Sequence, residues 1–386
     1  MIQPFREQPR LRVATLEAGR RADVEAFEID GAQPLDLSPP ALALEERGEA
    51  QELPPRMPEQ AGAKLFAATV SDAIVAVAPG HLRSYLLTGR GELVADSVDD
   101  SPNVWRRAES DWRALAELGA TPTTNPREVF LLGGQRGGYW HWWIDILPRV
   151  WLLDETVNRV VPGMRGQPPD GGALPLAIPA PSAEFQRESL DLLGLTERLE
   201  LLEPGLTRFA SVTFTRGLSG GGSRYPSRKL GEYARWLRER LAPDTGAEPG
   251  GRRLFISRAS AASRRVVNEA ELAPVLAEHG FEVVDPAGMS IAEQVALFSR
   301  ASAVVGPHGA GLTNLLFSPP GTQVVELFAA PAAQGVSNYR VLASHLGMLY
   351  SRLLAAPVAN EGGRGPHSLD MELDPRLLAR ALSAIA

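Results

Sequence analysis

The chain has 386 residues, 44% hydrophobic and 22% charged, a balance that excludes wholesale disorder and predicts two lobes. Its formal net charge of -7 offers no broad basic surface to nucleic acid. With no cysteine it forms no disulfide, thiolate nucleophile or cysteine zinc site, and its six histidines carry no HExxH pattern.

Residues 1–60 are rich in Pro, Glu, Arg and Ala and read as an irregular arm, with at most one short strand or helix. No basic start followed by an apolar run marks a signal peptide, and no stretch of 18 apolar residues follows, so the expected location is the cytoplasm. From Leu65 a first lobe (61–242) is predicted. Ala73–Ala78 reads as a strand, and Tyr85–Thr88 and Glu92–Ala95 as a hairpin around Gly89-Arg90-Gly91. Val129–Leu132 is a buried strand ending at Gly133-Gly134. Tyr139 to Asp154 has helical periodicity through Trp142, Ile146, Val150 and Leu153, kinked at Pro148. Residues 162–175 read as a loop, Leu176–Ile178 as a strand, Ser182–Leu193 as a helix capped by Ser182, and Val212–Thr215 as a strand. Gly217–Ser223 reads as flexible and Leu230–Leu241 as a helix.

Residues 243–252 form the linker, and a second lobe (253–386) follows. Its strands are Leu254–Ser257, Phe281–Val284, Ala303–Val305 and Thr322–Leu327. Its helices are Glu269–His279, closed by Gly280, and Ser290–Ser299, opened by a Ser290/Glu293 capping box. Strand–helix alternation predicts a parallel, doubly wound α/β sheet whose ligands sit beyond the C-terminal strand ends.

Four patterns carry chemistry. Gly306-Pro307-His308-Gly309-Ala310-Gly311-Leu312-Thr313-Asn314 is a glycine loop after a strand, where amides at a helix start favour phosphate. It is neither a dinucleotide fingerprint nor a P-loop, and turn chemistry is the plainer reading of such glycines. Arg258 ends a strand and Arg264 lies in the next loop, so two guanidiniums there would neutralise a pyrophosphate. Only Lys64 and Lys229 among the 39 basic residues are lysines, so most arginines reflect composition, and Arg265 reads as one of these surface residues. Glu326 ends a strand, placed to accept ribose hydroxyls or to cap the next helix. Last, Tyr139-Trp140-His141-Trp142-Trp143-Ile144-Asp145 puts His141 and Asp145 on one helical face, the arrangement of a general base held by a carboxylate. An aromatic core with a hydrogen-bonded histidine is the plainer reading of that segment.

Taken in order, these stretches resemble glycosyltransferase family 61. The resemblance rests on Arg253–Arg258, Arg264–Glu269, Glu293-Gln294, Gly306–Asn314, Phe317, Pro320-Gly321, Val325–Leu327 and the Tyr139–Arg149 segment, and spans about Tyr139 to Leu327. That family includes plant xylan arabinosyl- and xylosyltransferases, an animal O-GlcNAc transferase and bacterial proteins of capsular polysaccharide biosynthesis. The resemblance implies a GT-B fold of two Rossmann-like lobes with parallel sheets flanked by helices. It also implies an inverting mechanism, a nucleotide-sugar donor, often a UDP-sugar, and a saccharide acceptor. No Asp-x-Asp lies near the glycine loop, so no metal or other cofactor is expected. His141 and Asp145 are the expected catalytic residues, with His308 a competing base. Arg258, Arg264, Gly306, His308, Gly309, Ala310, Gly311, Asn314 and Glu326 are the expected donor-binding residues. A non-catalytic scaffold is the alternative, and it would have lost one of His141, Arg258, Arg264 and Glu326.

Overall fold

The computed structural model describes residues 13–14, 24–30, 43–44, 65–79, 83–94, 97, 110–111, 114–115, 121–133, 138–157, 173–219, 227, 229–242, 251–330, 338–360 and 368–385. The linker residues 243–250, most of the loop 162–175 and most of the arm 1–60 lie outside them. The chain is mixed α/β and divides into two compact units, residues 1–33 with 61–229 and residues 34–60 with 230–386.

The first unit holds one nine-stranded sheet: β1 (Val13–Ala14), β2 (Val24–Asp30), β4 (Leu65–Val77), β5 (Ser84–Leu87), β6 (Leu93–Val94), β7 (Thr123–Leu131), β8 (Leu176–Pro179), β9 (Leu199–Leu202) and β10 (Gly205–Thr215). β10, β7, β8 and β9 run parallel to one another in that order. The other half is antiparallel apart from the β1–β6 pair, because β4 pairs with β10, β2 and β5 in that sense. The strand expected from Ala73 is therefore the end of a much longer one. Asp72 interrupts it with φ 52 and turns its carboxylate to Arg208, with Nε at 2.5 Å. The expected hairpin forms, with Leu87 opposite Leu93 and Gly91 at φ 80. The helix Glu184–Leu192 starts after Ala183, whose N–H Gln186 takes, so Ser182 lies before the cap.

The second unit holds a seven-stranded sheet of β3 (Ala43–Leu44), β11 (Arg252–Ile256), β12 (Phe281–Val284), β13 (Ala301–Pro307), β14 (Gln323–Ala329), β15 (Leu349–Val358) and β16 (Asp370–Glu372). Its main path runs β12-β11-β13-β14-β15-β16, parallel up to β15, with β16 antiparallel. Strands β11, β13 and β14 are apolar runs buried along most of their length, as strands covered on both faces must be. Phe255, Val305 and Leu327 pack into one cluster with Leu272 and Leu276 of the helix Glu269–Glu278 and with Leu378 and Leu382 of the helix Pro375–Ala384. Helix Ile291–Phe298 joins β12 to β13, with the expected Ser290/Glu293 box. The helix Leu230–Leu241 belongs to this unit.

From β11 the chain turns first to β12 and then returns to the other side of β11 for β13. The crevice beyond the C-terminal ends of β11 and β13 is thus the topological switch point, where such sheets bind ligands.

Candidate active site

In the first unit, Pro148 shapes the candidate centre. Proline has no N–H to give the carbonyl four residues back, that of Ile144. The chain accommodates this with a π turn over Trp142–Ile146, closed by Leu147 N–H to Trp142 O at 2.9 Å. The freed Ile144 carbonyl accepts from Leu218 N at 3.1 Å, and that of Asp145 accepts from Arg149 Nε at 2.8 Å. Arg149 also donates to Gly133 O at the end of β7. The expected kink is therefore a widened turn that docks on the segment after β10.

That turn presents His141 and Asp145 together. His141 Nδ1 donates to Asp145 Oδ2 at 2.7 Å, with side-chain exposures of 29% and 13%. Ser219 donates to the other oxygen, Oδ1. Gly217 must be glycine, because a Cβ there would lie 2.4 Å from the Asp145 carbonyl oxygen. Burial opposes ionisation of Asp145, but His141, Ser219 and Arg149 outweigh it and hold its carboxyl below the usual range. An ionised Asp145 fixes the Nδ1–H tautomer and leaves Nε2 as the basic nitrogen. The aromatic core also forms, on other faces of the same segment: Trp143 is fully buried, and Trp142 Nε1 donates to Ser189 at 2.7 Å. The dyad lies past the C-terminal ends of the parallel neighbours β7 and β10. Ser219 and Gly217 fall in the stretch expected to be flexible. Its glycines were visible in the sequence, but their packing against Asp145 was not.

In the second unit the switch point gathers the second group. Arg258 follows β11, and its Nη2 donates to Ser263 O at 3.3 Å. Its buried Nε has no hydrogen-bond partner. Burial, and then the like charge of Arg264, lower the pKa of the Arg258 guanidinium. Arg264 itself holds φ 60, a left-handed conformation that costs a residue with a Cβ about 1–2 kcal/mol. Two cations held close, one with an unpaired donor, mark a place for an anion. Arg265, read from the sequence as a surface arginine, pairs with the buried Asp370, with Nη2 at 2.7 Å.

Beyond β13, Gly309 lies against Arg258: a Cβ there would sit 2.4 Å from Arg258 Nη1. Its φ of 166 is ordinary extended backbone, so the constraint is space alone. Gly306 and Gly311 serve packing instead: a Cβ on them would lie 2.8 and 3.1 Å from the Ile256 side chain. The 3-10 helix runs Ala310–Phe317. Asn314 is fully buried and donates to Gln294 Oε1 at 2.7 Å, which places it inside the core. Glu326, 1% exposed, accepts from His308 Nδ1 at 2.6 Å and from Tyr350 OH at 2.5 Å. Both its oxygens are engaged, so it acts on His308. That ring stacks on Phe328 with centroids 5.0 Å apart and meets Tyr339 edge-on. Tyr350, Tyr339 and Phe328 carry no pattern in the sequence that singles them out.

Residues 139–325 match the family model described as Glycosyltransferase 61. That stretch of the chain carries a glycosyltransferase family 61 domain. Protein O-linked-mannose beta-1,4-N-acetylglucosaminyltransferase 2 of Canis lupus familiaris is 34% identical over 125 residues, 31% of this chain and 21% of that protein. The protein of the same name from Homo sapiens shows the same 34% over 125 residues, again 31% and 21%. A beta-1,2-xylosyltransferase (XAX1) of Oryza sativa subsp. japonica is 39% identical over 105 residues, 25% of this chain and 18% of that protein. The chain spans about a fifth of the length of the curated relatives it matches. The span matched to glycosyltransferase 61 takes in His141, Asp145, Arg258, Arg264 and His308, and stops one residue before Glu326.

Two expectations follow from the geometry. Asp145 has a folded pKa below its ordinary 3.8, so its contribution to stability is present above that value and is lost as pH falls through the folded pKa. The gap in Tm between wild type and Asp145→Asn should therefore be wide at pH 7 and shrink below about pH 4, which parallel thermal melts would read. Gly309→Ala should displace the far end of Arg258 and leave the backbone in place. Nucleoside diphosphate affinity should fall about tenfold with Tm nearly unchanged, as calorimetry and melting would show together.

Proposed function

We propose that this chain is an inverting transferase. It moves a sugar from a nucleotide-sugar donor, of which a UDP-sugar is the leading candidate, to a hydroxyl of a glycan or polysaccharide acceptor. The observation that carries the reading is the buried Arg258 Nε with no partner, beside Arg264 at a topological switch point. In this reading the donor diphosphate takes both guanidiniums and the first amides of the Ala310–Phe317 helix, which have no acceptor within the helix. Glu326 holds the His308 ring at the same edge, so that its Nε2 meets the donor.

We further propose the GT-B arrangement that the resemblance implies, with the acceptor base supplied by the first unit. His141 Nε2 takes the proton of the acceptor hydroxyl as its oxygen bonds to C1 of the sugar. The bond from C1 to the diphosphate oxygen breaks on the opposite face, and its electron pair leaves with the nucleoside diphosphate. Positive groups fixed beforehand around the leaving oxygens stabilise that charge more in the transition state than in the ground state. Asp145 supports the imidazolium that forms, as a buried carboxylate does for a histidine base.

The test is release of nucleoside diphosphate from a panel of nucleotide sugars in the presence of saccharide acceptors, followed by NMR of the product anomer. Transfer with inverted configuration is expected. A product that keeps the donor's configuration would refute the single-displacement mechanism.

A further inference from the structure

The loop that carries Arg264 is tied down by residues 98 to 105 positions away. Arg265 N–H donates to Asp370 Oδ1 at 2.9 Å, and its Nε and Nη2 reach Oδ2 at 3.0 and 2.7 Å. Asn360 Nδ2 bridges Asp370 Oδ1, at 3.0 Å, and the Ala262 carbonyl, at 2.9 Å. Downstream, Met371 N–H donates to Arg265 O and Val267 N–H to Met371 O, so the loop's exit runs beside β16. Asn268 closes the run with two bonds to the backbone of Leu373. Asp370 is almost wholly buried, and its carboxyl stays ionised: burial opposes this, but Arg265 and Asn360 hold the pKa below the usual range.

Between these anchors sits Arg264, the residue in the left-handed conformation. A strained backbone persists only where its surroundings over-determine it. Here the constraint is explicit: the carbonyl of residue 262 and the amide of residue 265 are both fixed on the Asn360–Asp370 pair. Without it, Arg264 would relax to ordinary dihedrals and swing its guanidinium away from Arg258.

We propose that Asp370 is a positioning residue: through Arg265 and Asn360 it holds Arg264 in its left-handed conformation, so that Arg264 can meet the donor diphosphate beside Arg258. This rests on the donor site proposed above. Arg265 thus stands outside the ligand site yet belongs to the device that builds it.

The experiment is a double-mutant cycle on the full chain, read by calorimetry with the tightest binder among UDP, GDP, ADP, CDP and dTDP. Asp370→Ala, which removes the Oδ1 that holds the Arg265 amide and Asn360, should weaken binding about tenfold in the wild-type background and less than about twofold on top of Arg264→Ala, because the two changes remove one contact. Asn360→Ala, which frees the Ala262 carbonyl and one bond to Asp370, should repeat the pattern at smaller size and serves if Asp370→Ala does not fold. A merely structural Asp370 would lower Tm and weaken binding equally in both backgrounds, and that result overturns the proposal. So does unchanged affinity in a folded Asp370→Ala protein while Arg264→Ala is impaired, which leaves the donor site standing. Unchanged affinity in Arg264→Ala itself removes the donor site and this inference together.

Discussion

His141→Ala is expected to abolish sugar transfer while leaving nucleoside diphosphate affinity intact. The acceptor hydroxyl is a poor nucleophile, and a positioned base contributes about 10²- to 10⁴-fold to such a step. Among the described residues of the first unit, His141 is a histidine bonded to a buried carboxylate, and Ser219 closes the other side of that carboxylate. Alanine removes the proton acceptor and leaves the residues of the Arg258 group unaltered. Asp145→Asn should be less severe, because it weakens the hold on the ring and keeps the base. Initial-rate assays of both variants, with calorimetry beside them, separate the roles. A His141→Ala enzyme of near-normal turnover beside an inactive Asp145→Asn would make Asp145 the base. If both stay active, the base is elsewhere, and His308, held by Glu326 at 2.6 Å, becomes the next candidate.

Arg258→Ala and Arg264→Ala should each weaken nucleoside diphosphate binding ten- to a hundredfold. A charge-assisted hydrogen bond contributes about 1.5–3 kcal/mol, and every 1.4 kcal/mol is a factor of ten. Arg258 carries the stronger expectation, since its buried Nε already lacks a partner in the protein. In the free protein the two cations also repel each other, so removing either relieves a cost while it removes a contact. Melting temperatures should therefore hold or rise as affinity falls. Arg265→Ala should do the reverse: its backbone amide still bonds Asp370, so affinity changes little, while loss of the side-chain pair leaves a buried carboxylate less satisfied and lowers Tm. Unchanged affinity in both Arg258→Ala and Arg264→Ala would end the pyrophosphate assignment.

Much of this was legible in the residues, for local reasons. Apolar runs such as Leu254-Phe255-Ile256 and Val304-Val305, alternating with helical segments, read as buried strands, and caps such as Ser290 fix helix starts within a residue. The pair His141/Asp145 was legible because a spacing of four puts two side chains on one helical face. The rest depended on long-range pairing. The antiparallel half of the first sheet comes from β4 meeting β10 some 130 positions later, and nothing in the alternation of either strand states the sense of that pairing. Glu326 was visible as a carboxylate at a strand end, but its partners come from Tyr350 on the next strand and His308 on the preceding loop. Arg265 read as a surface arginine, and its tie to Asp370, 105 positions away, was not legible. Pro148 announced a kink, and only the docking of Leu218 on the freed Ile144 carbonyl shows what the kink is for.

The measurement that bears most directly on the central claim is a thermal-shift titration of the full chain with UDP, GDP, ADP, CDP and dTDP, each beside its monophosphate. A ligand that binds only the folded state adds about 2.7 kcal/mol of stability at a hundred times its Kd. The donor site at the β11/β13 switch point predicts a saturable rise in Tm with at least one diphosphate, a smaller rise with the matching monophosphate, and loss of the rise in the Arg258→Ala, Arg264→Ala double variant. A Tm that no nucleoside diphosphate moves, or a rise that persists unchanged in the double variant, would contradict it.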